Sequence, residues 1–187
     1  VTTSVLVLVG SLRAASTNRS LAEGLVEHAP EGASLRVFEG LGELPFYSDD
    51  LEAAGAPASV QALRAAVSEA DALLLVTPEY NGALPAVLAN AIDWISRPFG
   101  NGAVKGVPSA VVGTALGQYG GVWAQEIARR ALGIAGASVL DEVFLAVPGS
   151  VKRYAELHPR EDRDVVEGAA KVIGALVAAH EGAVVPA

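Results

Sequence analysis

"LLLVTPEYNGALPAVLANAIDWISRP", residues 73–98, opens as an apolar run of strand length and closes with the spacing of a helix. Between the two lies the turn Thr77-Pro78-Glu79-Tyr80-Asn81-Gly82, which holds an aromatic, an acid and a backbone able to bend sharply. A buried strand that passes directly into a helix belongs to a parallel sheet covered on both faces.

The same alternation recurs in both directions along the chain. It predicts strands near 4–9, 34–38, 72–77, 108–113 and 138–146, and helices near 18–29, 57–69, 85–97, 121–135 and 162–181. In the last helix Val165, Val166, Ala169, Val172, Ile173, Leu176 and Val177 fall in i, i+3, i+4 order, opposite Glu167, Lys171 and Glu181, so it packs by one face. Residues 40–57 and 97–107, punctuated by proline and glycine, read as long loops. The fold class expected is α/β: an open, doubly wound, five-stranded parallel sheet with helices on both faces, formed as a single domain over 1–187. Ligands of such sheets bind outside the carboxyl ends of the strands, so the loops after the first, third and fourth strands matter most.

Composition narrows the function. Half of the 187 residues are apolar, enough for a sizeable core, yet the apolar runs Val5–Val9 and Ala72–Val76 fall far short of a membrane span. The first residues lack the basic region and cleavage site of an export signal, so a cytoplasmic enzyme or binding protein is expected. The absence of cysteine removes thiolate nucleophiles, iron–sulfur clusters and cysteine-held zinc. A net charge of -8 argues against a nucleic-acid partner.

The first loop, "GSLRAASTNRSLAE" (10–23), is a local exception to that charge. Ser11, Ser16, Thr17 and Asn18 supply hydroxyl and amide groups just before a helix begins, and Arg13 and Arg19 add two positive charges. A helix N-terminus with free N–H groups and adjacent arginines suits a phosphate. The plainer reading is that Ser16 or Thr17 only caps the helix while the arginines are solvated. Neither G-x-x-x-x-G-K-[ST] nor G-x-G-x-x-G is present, which favours a monophosphate over a nucleoside triphosphate or a dinucleotide held in the Rossmann manner. In the third loop, the glycines at 117, 120 and 121 either let backbone approach a ligand or only permit a tight strand-to-helix turn.

"GSLRAASTNRSLAE", "TPEYNGALPAVLANAIDW" and "GTALGQYGGVWAQEIARRAL", in this order and spacing, resemble the NADPH-dependent FMN reductase family, whose flavodoxin-like members include quinone, azo-dye and chromate reductases. The resemblance runs from the first strand to about residue 148. It implies strand order 2-1-3-4-5, with FMN at the switch point between the first and third strands. It also implies that Ser11, Arg13, Ser16, Thr17 and Asn18 hold the FMN phosphate and that Pro78, Glu79, Tyr80, Asn81 and Gly82 line the isoalloxazine ring, with Thr114 and Gly117 beside them. NADPH, or NADH, would be the reductant, with Arg13 or Arg19 nearest in sequence for the extra phosphate of NADPH.

The expected activity is ping-pong transfer of electrons from NAD(P)H through FMN to a small-molecule acceptor: a quinone, azo compound, metal oxyanion or free flavin. No side chain is assigned a catalytic role, because the cofactor performs the chemistry. The alternative is a flavodoxin-like electron carrier reduced by a partner protein. Val87, Leu88, Ala91, Ile92, Trp94 and Ile95 form a stripe wider than one sheet face requires, with Trp94 at its edge. With the family resemblance, this predicts a homodimer or homotetramer. His28 is expected at the end of the first helix, and no histidine has an obvious partner. Arg129 and Arg130 are expected on an exposed helix face, and no residues have metal-ligand spacing.

Overall fold

The computed structural model describes residues 2–184. Five strands, β1 (Thr3–Val9), β2 (Ala33–Val37), β3 (Ala72–Val76), β4 (Pro108–Thr114) and β5 (Ser138–Val147), form one sheet in the order β2-β1-β3-β4-β5. All four neighbouring pairs are parallel. The α-helices among the described residues are α1 (Thr17–Glu27), α2 (Asp49–Ala53), α3 (Ala58–Ser68), α4 (Ala86–Ile95), α5 (Val122–Ala135), α6 (Ser150–Arg153) and α7 (Arg163–Val184). This is the flavodoxin-like topology that the sequence predicted. Among the described residues, no helix is long and apolar enough to cross a membrane.

Successive side chains of a strand face opposite sides of the sheet, and the core is divided accordingly. Val5, Val7 and Val9 of β1, with Leu74 and Val76 of β3, pack against α1 and α7 through Leu21, Leu25, Val172 and Ile173. Leu6, Leu8, Leu73 and Leu75 pack on the other side against α3, α4 and α5 through Leu63, Leu88, Ile95 and Leu132. The register sets Val9 beside Val76 and Val76 beside Val112, so the loops after β1, β3 and β4 leave the sheet at one edge.

The long loop expected over 40–57 contains more structure than its composition signalled. It holds a 3-10 turn at Leu41–Glu43 and the short α2, whose first turn is capped by Ser48 and carries Asp49, Asp50 and Glu52. Helices this short leave no periodicity to read. The segment is docked on α4: the Asn90 amide accepts from the Tyr47 N–H at 2.8 Å and donates to the Pro45 carbonyl at 2.9 Å. The Trp94 indole N–H donates to the same carbonyl at 2.8 Å.

This docking corrects the expectation for Trp94. The residue is 0% exposed, with the Tyr47 ring edge-on at 4.9 Å and the Arg64 guanidinium 5.6 Å from its centroid. The surplus width of the α4 stripe is covered from within the chain.

Beyond β5, Arg153 in α6 makes a two-pronged ion pair with the buried carboxylate of Asp162, one prong at 2.8 Å. The guanidinium holds the Asp162 carboxyl below the usual carboxylate range. A depressed folded-state pKa stabilises the fold above the unfolded value and loses that effect as pH falls through the folded value. Asp162→Asn should therefore cost about 1.5–3 kcal/mol at neutral pH. The difference from the parent should shrink below about pH 4. Urea unfolding of both proteins across that range would check the sign.

Candidate functional site

The three loops meet because two glycines admit contacts that a side chain would block. A Cβ on Gly10 would lie 2.5 Å from Leu88 Cδ1 of α4 and 3.1 Å from Pro78 Cδ, so a side chain here would crowd both α4 and the second loop. A Cβ on Gly113 would lie 2.1 Å from the Thr77 carbonyl oxygen, which brings the end of β4 against the same turn.

In the first loop, Ser16 is the N-cap of α1, accepting from the Arg19 N–H at 3.2 Å. Ser11 is half-buried, and Arg13 is exposed with no ion-pair partner among the described residues. Arg19 is committed elsewhere. Its Nε donates to Glu23 at 2.8 Å, and its two terminal nitrogens donate to Glu39 at 2.7 and 2.6 Å. The hydrogen bonds to Glu39 and then to Glu23 raise its pKa further, while Arg19 holds the Glu39 carboxyl below its ordinary value. A cavity of about 380 Å³ lies here, lined by Ser11, Arg13, Arg19 and Glu39 among others.

Asn18 is buried, and its amide donates to the Thr114 carbonyl at 2.8 Å and accepts from the Thr114 N–H at 3.0 Å. The Thr114 hydroxyl donates to the Val147 carbonyl at 2.9 Å. These two side chains tie the first loop to the end of β4 and β4 to β5.

In the second loop, Asn81 (φ 54°) and Gly82 (φ 70°) are the centre of a two-residue hairpin closed by Tyr80 and Ala83, whose N–H groups donate to each other's carbonyls at 3.2 and 3.0 Å. Asn-Gly is the pair best suited to two adjacent positive φ values. Pro78 is buried, the Tyr80 ring is exposed, and a Cβ on Gly82 would meet nothing within 4 Å. The Glu79 carboxylate accepts from the Ala124 N–H, in the first turn of α5, at 3.1 Å.

The two readings of the third-loop glycines are divided between them. Gly120 and Gly121 are required by the turn: both have positive φ, and a Cβ on Gly120 would lie 2.7 Å from the backbone of Ala146 and Val147. Gly117 faces open space, and its carbonyl accepts from Gly149 at 3.2 Å.

Among the described residues, no protein acceptor pairs with the backbone N–H groups of residues 11–16, 81–82 or 116–119. Three adjacent loops thus present unpaired donors at one sheet edge, which suits an anionic group and a hydrogen-bonding ring edge. A larger depression, about 440 Å³, lies between α4 and α5 at the opposite edge of the sheet, lined by Asp93, Arg97, Phe99, Lys105 and Ile134. It has no part in the donor array.

A family model described as NADPH-dependent FMN reductase matches residues 3–152. The chain belongs to the NADPH-dependent FMN reductase family. It is 45% identical over 129 residues to a quinone reductase of Pseudomonas putida, covering 69% of each chain. It is 39% identical over 128 residues to an NAD(P)H-dependent FMN reductase of Pseudomonas aeruginosa, covering 68% of each. The solved structure of FerB, a flavoenzyme NAD(P)H:(acceptor) oxidoreductase from Paracoccus denitrificans, superposes with a TM-score of 0.85 at 33% identity, covering 96% of this chain and 98% of FerB.

As a member of this FMN reductase family the protein is an oxidoreductase that uses FMN with NAD(P)H. The unpaired donors of the three loops, together with Arg13, fit the phosphate and pyrimidine edge of that cofactor. The ties through Asn18, the Arg19–Glu39 pair and the docking of Glu79 on α5 were not visible in the sequence. Each joins residues distant along the chain, with no spacing to reveal it.

The histidines have structural contacts. His28 caps the end of α1, with Nε2 2.9 Å from the Arg160 carbonyl, and His158 accepts from the Arg160 N–H at 3.2 Å. His180 is 3.5 Å from Asp71, a partner the sequence did not suggest. Arg130 is exposed as expected, whereas Arg129 is half-buried with its guanidinium 5.4 Å from the Phe144 ring centroid.

Proposed function

We propose that this FMN reductase passes electrons from NAD(P)H to quinones, binding nicotinamide and acceptor in turn at one place. The observation that carries this reading is the array of unpaired N–H groups on the three convergent loops. The quinone reductase relative supports the acceptor class. FMN, when bound, supplies hydride acceptance and electron release, so the chain contributes position and polarity alone.

In this reading the donors of 11–16, the hydroxyls of Ser11, Ser16 and Thr17, and the Arg13 charge hold the phosphate. The donors at Asn81, Gly82 and 116–119 polarise the ring edge, with Pro78 and Tyr80 against the ring. Asn18, Thr114 and Glu79 act behind these groups by fixing the loops. Tyr80, Leu116 and Tyr119 are exposed and offer apolar surface to flat aromatic substrates. Parallel double-reciprocal lines with NADPH and a benzoquinone would support alternate occupancy of one site. Intersecting lines would reject it. A single FMN-binding domain located in the cytoplasm, where nicotinamide cofactors are supplied, completes this reading.

A homodimer or a homotetramer belongs to the same proposal, resting on α5 and the far end of α4 rather than on Trp94. Trp123, Ile127 and Ile134 (77% exposed) stand on the outer face of α5, and Phe99 (91% exposed) lines the same depression as Ile134. The Asp93 carboxyl, its pKa raised by burial, shares that depression with Arg97 and Lys105. A patch with both charges can pair with a second copy of itself. Light scattering at micromolar concentration should give at least a dimer. Ile134→Glu should lower the mass without changing the far-ultraviolet dichroism.

A further inference from the structure

Helix α5 has no cap of its own. Its N-cap is Gly121, which has no side chain, and its first turn carries no acidic residue. The cap comes from another loop: Glu79 accepts from the N–H of Ala124, the third residue of the helix, at 3.1 Å. A Cβ on Gly121 would lie 3.5 Å from Glu79 Cβ, so the two loops pack closely here. Tyr80 and Ala83 are bonded to each other in both directions. Residues 80–83 therefore form one closed unit, and its anchor to α5 is the residue immediately before it.

We infer that Glu79 is a positioning residue of the flavin site with an electrostatic function. It docks the 78–82 turn on the start of α5, and its charge lowers the affinity for reduced FMN relative to oxidised FMN. The inference rests on the proposed placement of FMN over the three loops. A helix N-terminus carries roughly half a positive charge, which favours added negative charge nearby. The unpaired donors at 116–119 lead directly into that terminus. A carboxylate seated on it offsets part of the positive potential that a reduced flavin would otherwise meet.

The test uses the full chain with two substitutions. Glu79→Gln retains an oxygen to accept the Ala124 N–H but removes the charge. The ratio of reduced to oxidised FMN affinities should rise on the order of tenfold, which for a two-electron couple moves the midpoint potential up by about 30 mV. Glu79→Ala removes both bond and charge, so in FMN-free protein the Ala124 amide should exchange hydrogen faster than in the parent. It should also weaken binding of oxidised FMN, as Glu79→Gln should not. A rise of less than threefold for Glu79→Gln would overturn the electrostatic function, and unchanged exchange in Glu79→Ala would overturn the docking. A parent protein that bound no FMN would overturn the placement on which both depend.

Discussion

Arg13→Glu should weaken FMN binding by on the order of 100-fold or more while leaving riboflavin binding within about threefold. A charge-assisted bond to phosphate contributes roughly 1.5–3 kcal/mol, and reversing the charge adds repulsion. Riboflavin has the same ring without the phosphate, so the contrast isolates the group Arg13 is assigned to hold. The same titration with Arg19→Ala should show less than about a fivefold change, because Arg19 is already neutralised by Glu39 and Glu23. Fluorescence quenching of each flavin by the three proteins would measure this. Equal losses for FMN and riboflavin, or a larger loss from Arg19→Ala than from Arg13→Glu, would contradict the assignment.

Trp94→Ala should destabilise the fold by about 3–5 kcal/mol, as expected for a large aromatic removed from a closed core site. The midpoint of thermal unfolding should drop by roughly 6–20 °C. Trp94 is fully buried, holds the Pro45 carbonyl by its indole N–H, and packs against Ala56 and Val60. Its removal leaves a cavity beneath the 44–60 segment. If Trp94 were instead a subunit contact, Trp94→Ala would lower the assembly mass while the unfolding midpoint at high protein concentration stayed near that of the parent. Scanning calorimetry with light scattering distinguishes the two cases.

The inner strands β1, β3 and β4 were legible because their centres are short apolar runs of valine, leucine and alanine, the edge strands β2 and β5 because valine, leucine and phenylalanine recur in them between turn residues, and the long helices because their apolar faces recur every three to four residues. The loops proposed to hold the cofactor stand out in the sequence because they lie at strand ends, where this topology places ligands, and carry residue types that match phosphate chemistry. Trp94 was misread because its cover comes from the segment around Pro45 and Tyr47, 49 residues back along the chain at the indole contact, and that segment has no periodic pattern. Asn18 and Glu79 were read as cofactor contacts because a polar residue in a ligand loop looks the same whether it faces the ligand or the protein. Only the fold brings Thr114 to Asn18 and the start of α5 to Glu79. Arg19 was read as a phosphate candidate for the same reason, since Glu39 approaches it only once β2 lies beside β1.

In this FMN reductase the bound flavin is expected to take its electrons directly from a nicotinamide. Stopped-flow mixing of the FMN-loaded protein with NADPH and with NADH, without oxygen, tests this most directly. At least one of the two should rapidly bleach the oxidised-flavin band, and addition of a benzoquinone should then reoxidise it. A flavin that stayed oxidised with both nicotinamides, yet accepted electrons from a separate reductase protein, would contradict that expectation and make the protein an electron carrier.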